Sequence, residues 1–263
     1  MTQGNHIRNT SICDNDTDNK GVFLTMTTAI VIAGGSGHRM GLEVPKQFAV
    51  VFDKPVLAYT LEAFQKHPGI DAILVVCIDG WQDEVRSYSK RYGLDKLQWI
   101  VTGGGTGQES IRNGVFALEG KCAENDIVVI HDGIRPLVDV AVLSDVIRVC
   151  AAHGAAVSAL PYNEQIFVAD DERSTTRYIP RETIRRVATP QAYRFGLIDR
   201  AYHEAFEKGV GIHGSSYANT MMVELGHRLW FAAGSDKNIK LTTPDDLELF
   251  KGYLARERMG GGA

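Results

Sequence analysis

Three clusters along the chain combine glycine with charged side chains, and each directly follows a short apolar run. The first is Gly34-Gly35-Ser36-Gly37, with Arg39 and Lys46 shortly after it. Glycine lets a backbone approach a ligand closely, and successive N–H groups in such a turn cradle anionic oxygens. In this outline of a phosphate site, Ala33, Gly34, Gly35, Ser36 and Gly37 face the anion. Arg39 and Lys46 supply fixed positive charge. Three common glycine loops are excluded. There is no Lys-Ser/Thr after the second glycine, as a P-loop requires, and Gly35, Gly37 and Gly41 miss the dinucleotide spacing by one residue. No kinase catalytic or metal-binding motif follows.

The second cluster, Gly103-Gly104-Gly105-Thr106-Gly107, leads to Ser110 at the start of a helical pattern. There backbone N–H groups and a hydroxyl can meet a base or ribose. Gly104, Gly105 and Ser110 are the candidates for that role. The third, His131-Asp132-Gly133-Ile134-Arg135-Pro136, is more specific. An uncharged strand delivers Asp132 to a sheet edge, where a carboxylate can hold Mg²⁺ through oxygen while the metal neutralises phosphate charge. Asp132 and Arg135 are both candidates for substrate binding, and the competing role for the two is an ion pair with each other. His131 is assigned to packing and hydrogen bonding rather than to acid–base work. Arg181, Thr189 and Lys240 complete the set, each preceding or ending an apolar stretch.

These clusters need a scaffold that brings them to one edge. Residues 28–33, 71–78, 98–102 and 126–130 read as buried strands. Stretches bearing Leu57/Leu61/Phe64, Ile111/Val115/Leu118 and Leu143/Val146/Ile147 read as amphipathic helices between and after them. The alternation predicts an α/β fold with a mostly parallel sheet and helices on both faces, whose strand ends form the ligand crevice. Residues 161–188 break the rhythm. They form a hairpin-like arm around the charged tip Asp170-Asp171-Glu172-Arg173, with too few large apolar residues for a core of its own. Such an arm is expected to pack on a second subunit. Thr243-Pro244 starts a last helix as N-cap and first residue.

The stretch AGGSGHRM followed by PKQF looks like the nucleotide-sugar pyrophosphorylase superfamily. Taken with the other segments, Thr28 to Leu254 resembles the cytidylyltransferases for sugar-alcohol phosphates, which include the methylerythritol phosphate and ribitol phosphate enzymes. The resemblance implies a Rossmann-like nucleotidyltransferase sheet with a protruding β-arm. It implies that CTP and a polyol phosphate are the substrates, that Mg²⁺ is the cofactor, and that a homodimer forms through residues 161–188. It also implies that Arg39, Lys46 and Lys240 act on the phosphates and that Asp132 is associated with the metal. Arg181 and Thr189 would then hold the acceptor, with Arg181 arriving from a neighbouring subunit. Three segments depart from the family pattern: Gly105 and Gly107 in the nucleotide loop, Glu164-Gln165 on the arm, and Ser216-Tyr217-Ala218 on the acceptor side. Since the phosphate-handling cations remain, the pattern implies retained chemistry on a changed polyol. D-ribitol 5-phosphate, feeding surface polysaccharide, is the favoured acceptor. 2-C-methyl-D-erythritol 4-phosphate and a regulatory nucleotide-binding paralogue are the alternatives.

With 263 residues and 44% hydrophobic content, the chain suits one large domain, expected over residues 26–255. Residues 1–25, polar and rich in Asn, Asp and Thr, and residues 256–263 are expected to be tails. A net charge of −4 gives no support for a nucleic-acid polymer as partner. No apolar run is long enough to span a membrane. Four scattered cysteines without a C-x-x-C pair fit a reduced, cytoplasmic setting.

Overall fold

Six of the seven residues from Thr27 to Ala33 are buried, and this strand, β1, occupies the interior of a seven-stranded sheet. The computed structural model describes residues 25–35, 44–214 and 217–260. After β1 the chain forms a short ribbon of β2 (Val50–Val51) and β3 (Lys54–Pro55), then α1 (Val56–Lys66) and β4 (Ala72–Cys77). Next come α2 (Gln82–Tyr92), β5 (Leu97–Thr102), α3 (Gly107–Phe116), β6 (Ile127–Asp132), α4 (Val140–His153) and β7 (Ala155–Pro161). The arm follows with β8 (Ile166–Val168) and β9 (Arg177–Ile179). The chain closes with β10 (Arg185–Arg194), α5 (Phe195–Lys208), α6 (Ala218–Glu224), β11 (Trp230–Ala233) and α7 (Pro244–Gly260).

The strand order is β11-β7-β10-β6-β1-β4-β5, and β10 alone runs against the other six. From β1 the chain first builds outward through β4 and β5, then returns to place β6 on the other side of β1. Such a reversal opens a crevice at the carboxyl ends of the central strands. The alternation along β1 splits the core. Ala29 and Val31 pack with Leu57, Leu61 and Phe64 of α1 and with Leu143 and Val146 of α4. On the other face Ile30 packs with Ile111 and Val115 of α3 and with Ile198 and Tyr202 of α5. Each fully buried Leu, Ile or Phe contributes about 1.5–3 kcal/mol relative to exposure. That is ample to fix the register of both layers. Among the described residues no helix is long and apolar enough to cross a membrane.

The arm is a ribbon apart from this core. Its β8 and β9 pair only with each other, in the register Phe167↔Tyr178. Phe167 and Tyr178 remain 57% and 65% exposed. Asp170 and Arg177 pair at 2.9 Å across the ribbon, and Asp171 caps the tip by accepting from the Arg173 and Ser174 amides.

One expected boundary moves. Residues 256–260 belong to α7 rather than to a tail. Ala255, Arg256, Glu257 and Arg258 are good helix formers, and Arg258 reaches back to the β2–β3 turn. There its Nη2 lies 3.2 Å from Asp53 and its guanidinium sits 4.4 Å over the Phe52 ring. The expected N-terminal tail lies outside the described residues up to residue 24. Met26 is tied down, its amide donating to Asp126 Oδ1 at 2.9 Å.

Candidate active site

A cavity of about 530 Å³ opens at the carboxyl ends of β1, β5 and β6. Its wall includes Ala33, Gly34, Gly35 and Lys46 from the first cluster and Gly104, Gly105 and Ser110 from the second. Asp132, Thr189 and Lys240 complete it. Residues more than a hundred positions apart thus meet at one sheet edge. Ser36, Gly37 and Arg39 fall outside the described residues, as does Ser216.

The second glycine cluster is a helix start. Thr106 caps α3, and Glu109 returns the bond to the cap: the Glu109 amide donates to Thr106 Oγ1 at 3.1 Å, and Glu109 Oε2 accepts from the Thr106 and Gly105 amides. The T-x-x-E pattern of a capping box was present in the sequence. A side chain at Gly104 would collide with Glu109, its Cβ falling 2.3 Å from the Glu109 Cβ. Gly105 and Gly107 therefore belong to a formed turn beside the cavity. Ser110 faces inward: its hydroxyl donates to the Thr106 carbonyl at 2.9 Å and accepts from the Gly104 amide at 3.0 Å. Its Oγ would stand 3.1 Å from a Cβ added at either Gly34 or Gly103, so Ser110 is the wedge between the two glycine loops.

Asp132 is the acidic residue of the cavity wall. Its Oδ2 takes the Arg135 Nε at 2.9 Å and the Lys240 Nζ at 3.3 Å. Burial alone would push this carboxyl up, but Lys240 and Arg135 together outweigh it and hold the group below the usual carboxylate range. Asp132 is therefore ionised at neutral pH. The Asp–Arg pair considered from sequence does form. Arg135 stands behind Asp132 outside the main cavity wall, its Nη1 donating to the Asn238 carbonyl at 2.7 Å. A bulge in β10 between Ala188 and Gln191 re-aims Thr189, whose Oγ1 accepts from the Asp132 amide at 3.2 Å. Asn238 Nδ2 donates to the Thr189 carbonyl at 2.6 Å, closing the lattice.

One carboxylate with Oδ2 already shared suits Mg²⁺ that keeps waters and substrate phosphates as its other ligands. It does not suit a cage made of protein alone. A separate group with metal-ligand spacing, Glu119, Asp199 and His203, lies outside the cavity wall. His131, fully buried against Phe64, has its Nε2 3.1 Å from the Arg135 carbonyl. Burial pushes its pKa down to about 4, so the ring is neutral at working pH and packs.

Arg181 does not join the cavity of its own chain. It lies on the arm, 55% exposed, 3.7 Å from Glu182 and 3.4 Å from the Asn163 carbonyl. Two further residues line the cavity: Gln47, which sequence reasoning missed, and Tyr217, which it noted only as a departure on the acceptor side. Gln47, within the PKQF stretch, is 1% exposed and bonds to the first glycine turn. Tyr217 carries Lys240 5.2 Å over its ring, and its carbonyl accepts from buried Gln108 at 3.0 Å. Only an inward-facing glutamine at a helix start signalled the latter clamp, and that is too common a feature to single out.

A family model described as IspD, 2-C-methyl-D-erythritol 4-phosphate cytidylyltransferase, matches residues 27–256. The chain is 57% identical over 234 residues to ribitol-5-phosphate cytidylyltransferase of Lacticaseibacillus paracasei, a match spanning 89% of this chain and 100% of that protein. It is 37% identical over 228 residues to 2-C-methyl-D-erythritol 4-phosphate cytidylyltransferase of Syntrophotalea carbinolica, covering 86% and 94% of the two chains. A crystal structure of 4-diphosphocytidyl-2C-methyl-D-erythritol synthase superposes with a TM-score of 0.72 at 25% identity, over 88% of this chain and 98% of that one.

Proposed function

The chain belongs to the 2-C-methyl-D-erythritol 4-phosphate cytidylyltransferase family, and from that premise we propose that it transfers a cytidylyl group from CTP to D-ribitol 5-phosphate, forming CDP-ribitol and pyrophosphate. The observation that carries the acceptor is the 57% identity to the ribitol-5-phosphate enzyme over that protein's full length. The 37% identity to a methylerythritol phosphate enzyme supports that substrate as the second reading.

In the reaction a phosphomonoester oxygen of the acceptor attacks the α-phosphorus of CTP. The bond from that phosphorus to the β-phosphate oxygen breaks, and pyrophosphate leaves with the electron pair. Both partners are anions, so the chain's tasks are alignment and charge neutralisation. Lys46 and Arg39, on the first glycine loop, meet the negative charge of the triphosphate. Lys240 is held toward the cavity by Asp132 and Tyr217 and meets charge that builds in the transition state. Mg²⁺ would be held by Asp132 and would offset phosphate charge when bound. The neutral His131 leaves no buried imidazolium to act as an acid, and a phosphate dianion needs no base.

The acceptor phosphate is assigned to Thr189 together with Arg181 from a second copy of the chain. The exposed Phe167 and Tyr178 of the arm fit a homodimer built through residues 161–188. Unpaired Cys77, Cys122 and Cys150 fit the reducing cytoplasm. A panel of polyol phosphates at fixed CTP and Mg²⁺, read by pyrophosphate release, tests the acceptor. D-ribitol 5-phosphate is expected to lead in kcat/KM by about 100-fold or more, since a site that hydrogen-bonds a substrate hydroxyl rejects an acceptor lacking it by up to about 10⁴-fold. A lead for methylerythritol 4-phosphate reverses the assignment.

A further inference from the structure

Gln47 directly follows the cavity lysine, in the 3-10 turn Lys46–Phe48. A buried carboxamide carries two N–H donors that need acceptors. Both are committed to the first glycine turn: Nε2 donates to the Ala33 carbonyl at 2.8 Å and to the Gly35 carbonyl at 2.8 Å. The support beneath Gln47 is firm. The neighbouring Phe48 ring is 4% exposed and stacks on Trp81 at 4.3 Å.

The direction of these bonds matters for an anionic ligand. In a planar trans peptide the C=O and N–H point opposite ways. With the Ala33 carbonyl turned toward Gln47, the Gly34 N–H of the same peptide points away from it. Among the described residues that N–H has no protein acceptor, and Gly34 and Gly35 both line the cavity. Glycine peptides rotate freely unless something holds them. A carbonyl rotated into the cavity would aim its lone pairs at the phosphates.

We propose that Gln47 is a positioning residue for cytidylyl transfer, holding the Gly35 carbonyl away from the triphosphate and keeping Lys46 in register with it. The inference rests on CTP being the nucleotide at this turn. Two variants test it. Gln47→Met keeps length and bulk but has no donor. The Ala33 carbonyl retains the Ile78 amide at 3.1 Å, so the fold has a remaining tie there. Its kcat/KM for CTP is expected to fall about 100-fold, while KM for the polyol phosphate changes less than about threefold, as for a small misplacement of reacting groups. Gln47→Glu keeps the shape and reverses the polarity. Burial raises a carboxyl pKa, and the protonated form offers one O–H donor. Its activity relative to wild type should therefore recover as pH is lowered.

A purely structural role would reduce the active fraction, lowering kcat with KM unchanged for both substrates and with no recovery of Gln47→Glu in acid. That result overturns the proposal, as does normal CTP kinetics in Gln47→Met. CTP titration calorimetry on the wild type separates the two ideas. A wild type that binds no CTP fails the nucleotide reading and this inference with it. A wild type that binds CTP, beside a Gln47→Met protein with equal affinity and turnover, fails the positioning role alone.

Discussion

The wall around Asp132 and the arm around Asp170 each centre on an aspartate paired with an arginine, yet they are opposite kinds of structure. In the wall, Asp132 Oδ2 is shared by Arg135 and Lys240. Thr189 and Asn238 tie the neighbouring backbone, and the pieces come from β6, β10 and the loop before α7. In the arm, Asp170 bonds to Thr176 and Arg177 within a few residues of itself, on a ribbon whose large side chains face solvent. The wall is fixed by long-range contacts and is complete within one chain. The arm is folded only locally, by contacts within its own ribbon. A buried ion pair broken on one side is costly, whereas an exposed one contributes little. The same pair of residue types is therefore part of a site in one place and a turn staple in the other.

The sharpest test of this contrast is Lys46→Ala on the wall side, with Arg39→Ala from the same sequence cluster as its companion. Turnover should fall by about 10²-fold or more at near-wild-type stability, since the lost interaction is with the transition state. Steady-state kinetics beside a melting curve reads both quantities, and normal turnover in both variants removes the loop from the chemistry. Next in size, Asp132→Asn leaves Arg135 and Lys240 facing a neutral amide. A stability loss of about 2 kcal/mol is expected, together with a raised Mg²⁺ requirement. Unchanged metal dependence with the stability loss intact would make Asp132 an anchor for the two cations only. On the arm side, Arg181→Ala should raise KM for the polyol phosphate by about 10-fold, the scale of one exposed charge-assisted bond, and leave both the Tm and the KM for CTP near wild type. Mixing it with Lys46→Ala protein should restore activity through heterodimers in which one site holds both native residues. No recovery despite proven subunit exchange would confine Arg181 to its own chain and weaken the comparison.

Much of the wall was legible because strand ends announce themselves: an apolar run that stops at glycine or aspartate marks both the sheet and its crevice. The positions of Gly34, Gly104 and Asp132 follow from that pattern, whereas Lys240, in the loop before α7, was reached through the family resemblance. What it could not show is which way a side chain turns. Ser110 reads as a hydroxyl offered to a ligand, but helix geometry spends it on Thr106 and the Gly104 amide. Arg135 reads as a cation of the cavity, yet it stands one layer behind. The one antiparallel strand of the seven-stranded sheet, β10, was also hidden, because Arg185–Arg194 carries three arginines and a proline and so does not read as an interior strand. For Arg181 the sequence reads a place on the arm but not a distance to any cavity.

The shared carboxylate at Asp132 has a consequence for how far the cavity can make itself felt. Among the described residues the cavity wall carries Lys46 and Lys240 beside the single carboxylate of Asp132, on a chain whose net charge is −4. At an ionic strength of about 0.01 M, fields reach about 30 Å, and an incoming triphosphate meets the repulsion of the whole molecule. At about 0.15 M the reach shrinks to about 8 Å, and the charges it meets at the mouth are chiefly the lysines. Moderate salt should therefore hasten nucleotide capture by silencing the distant acids before it silences the near cations.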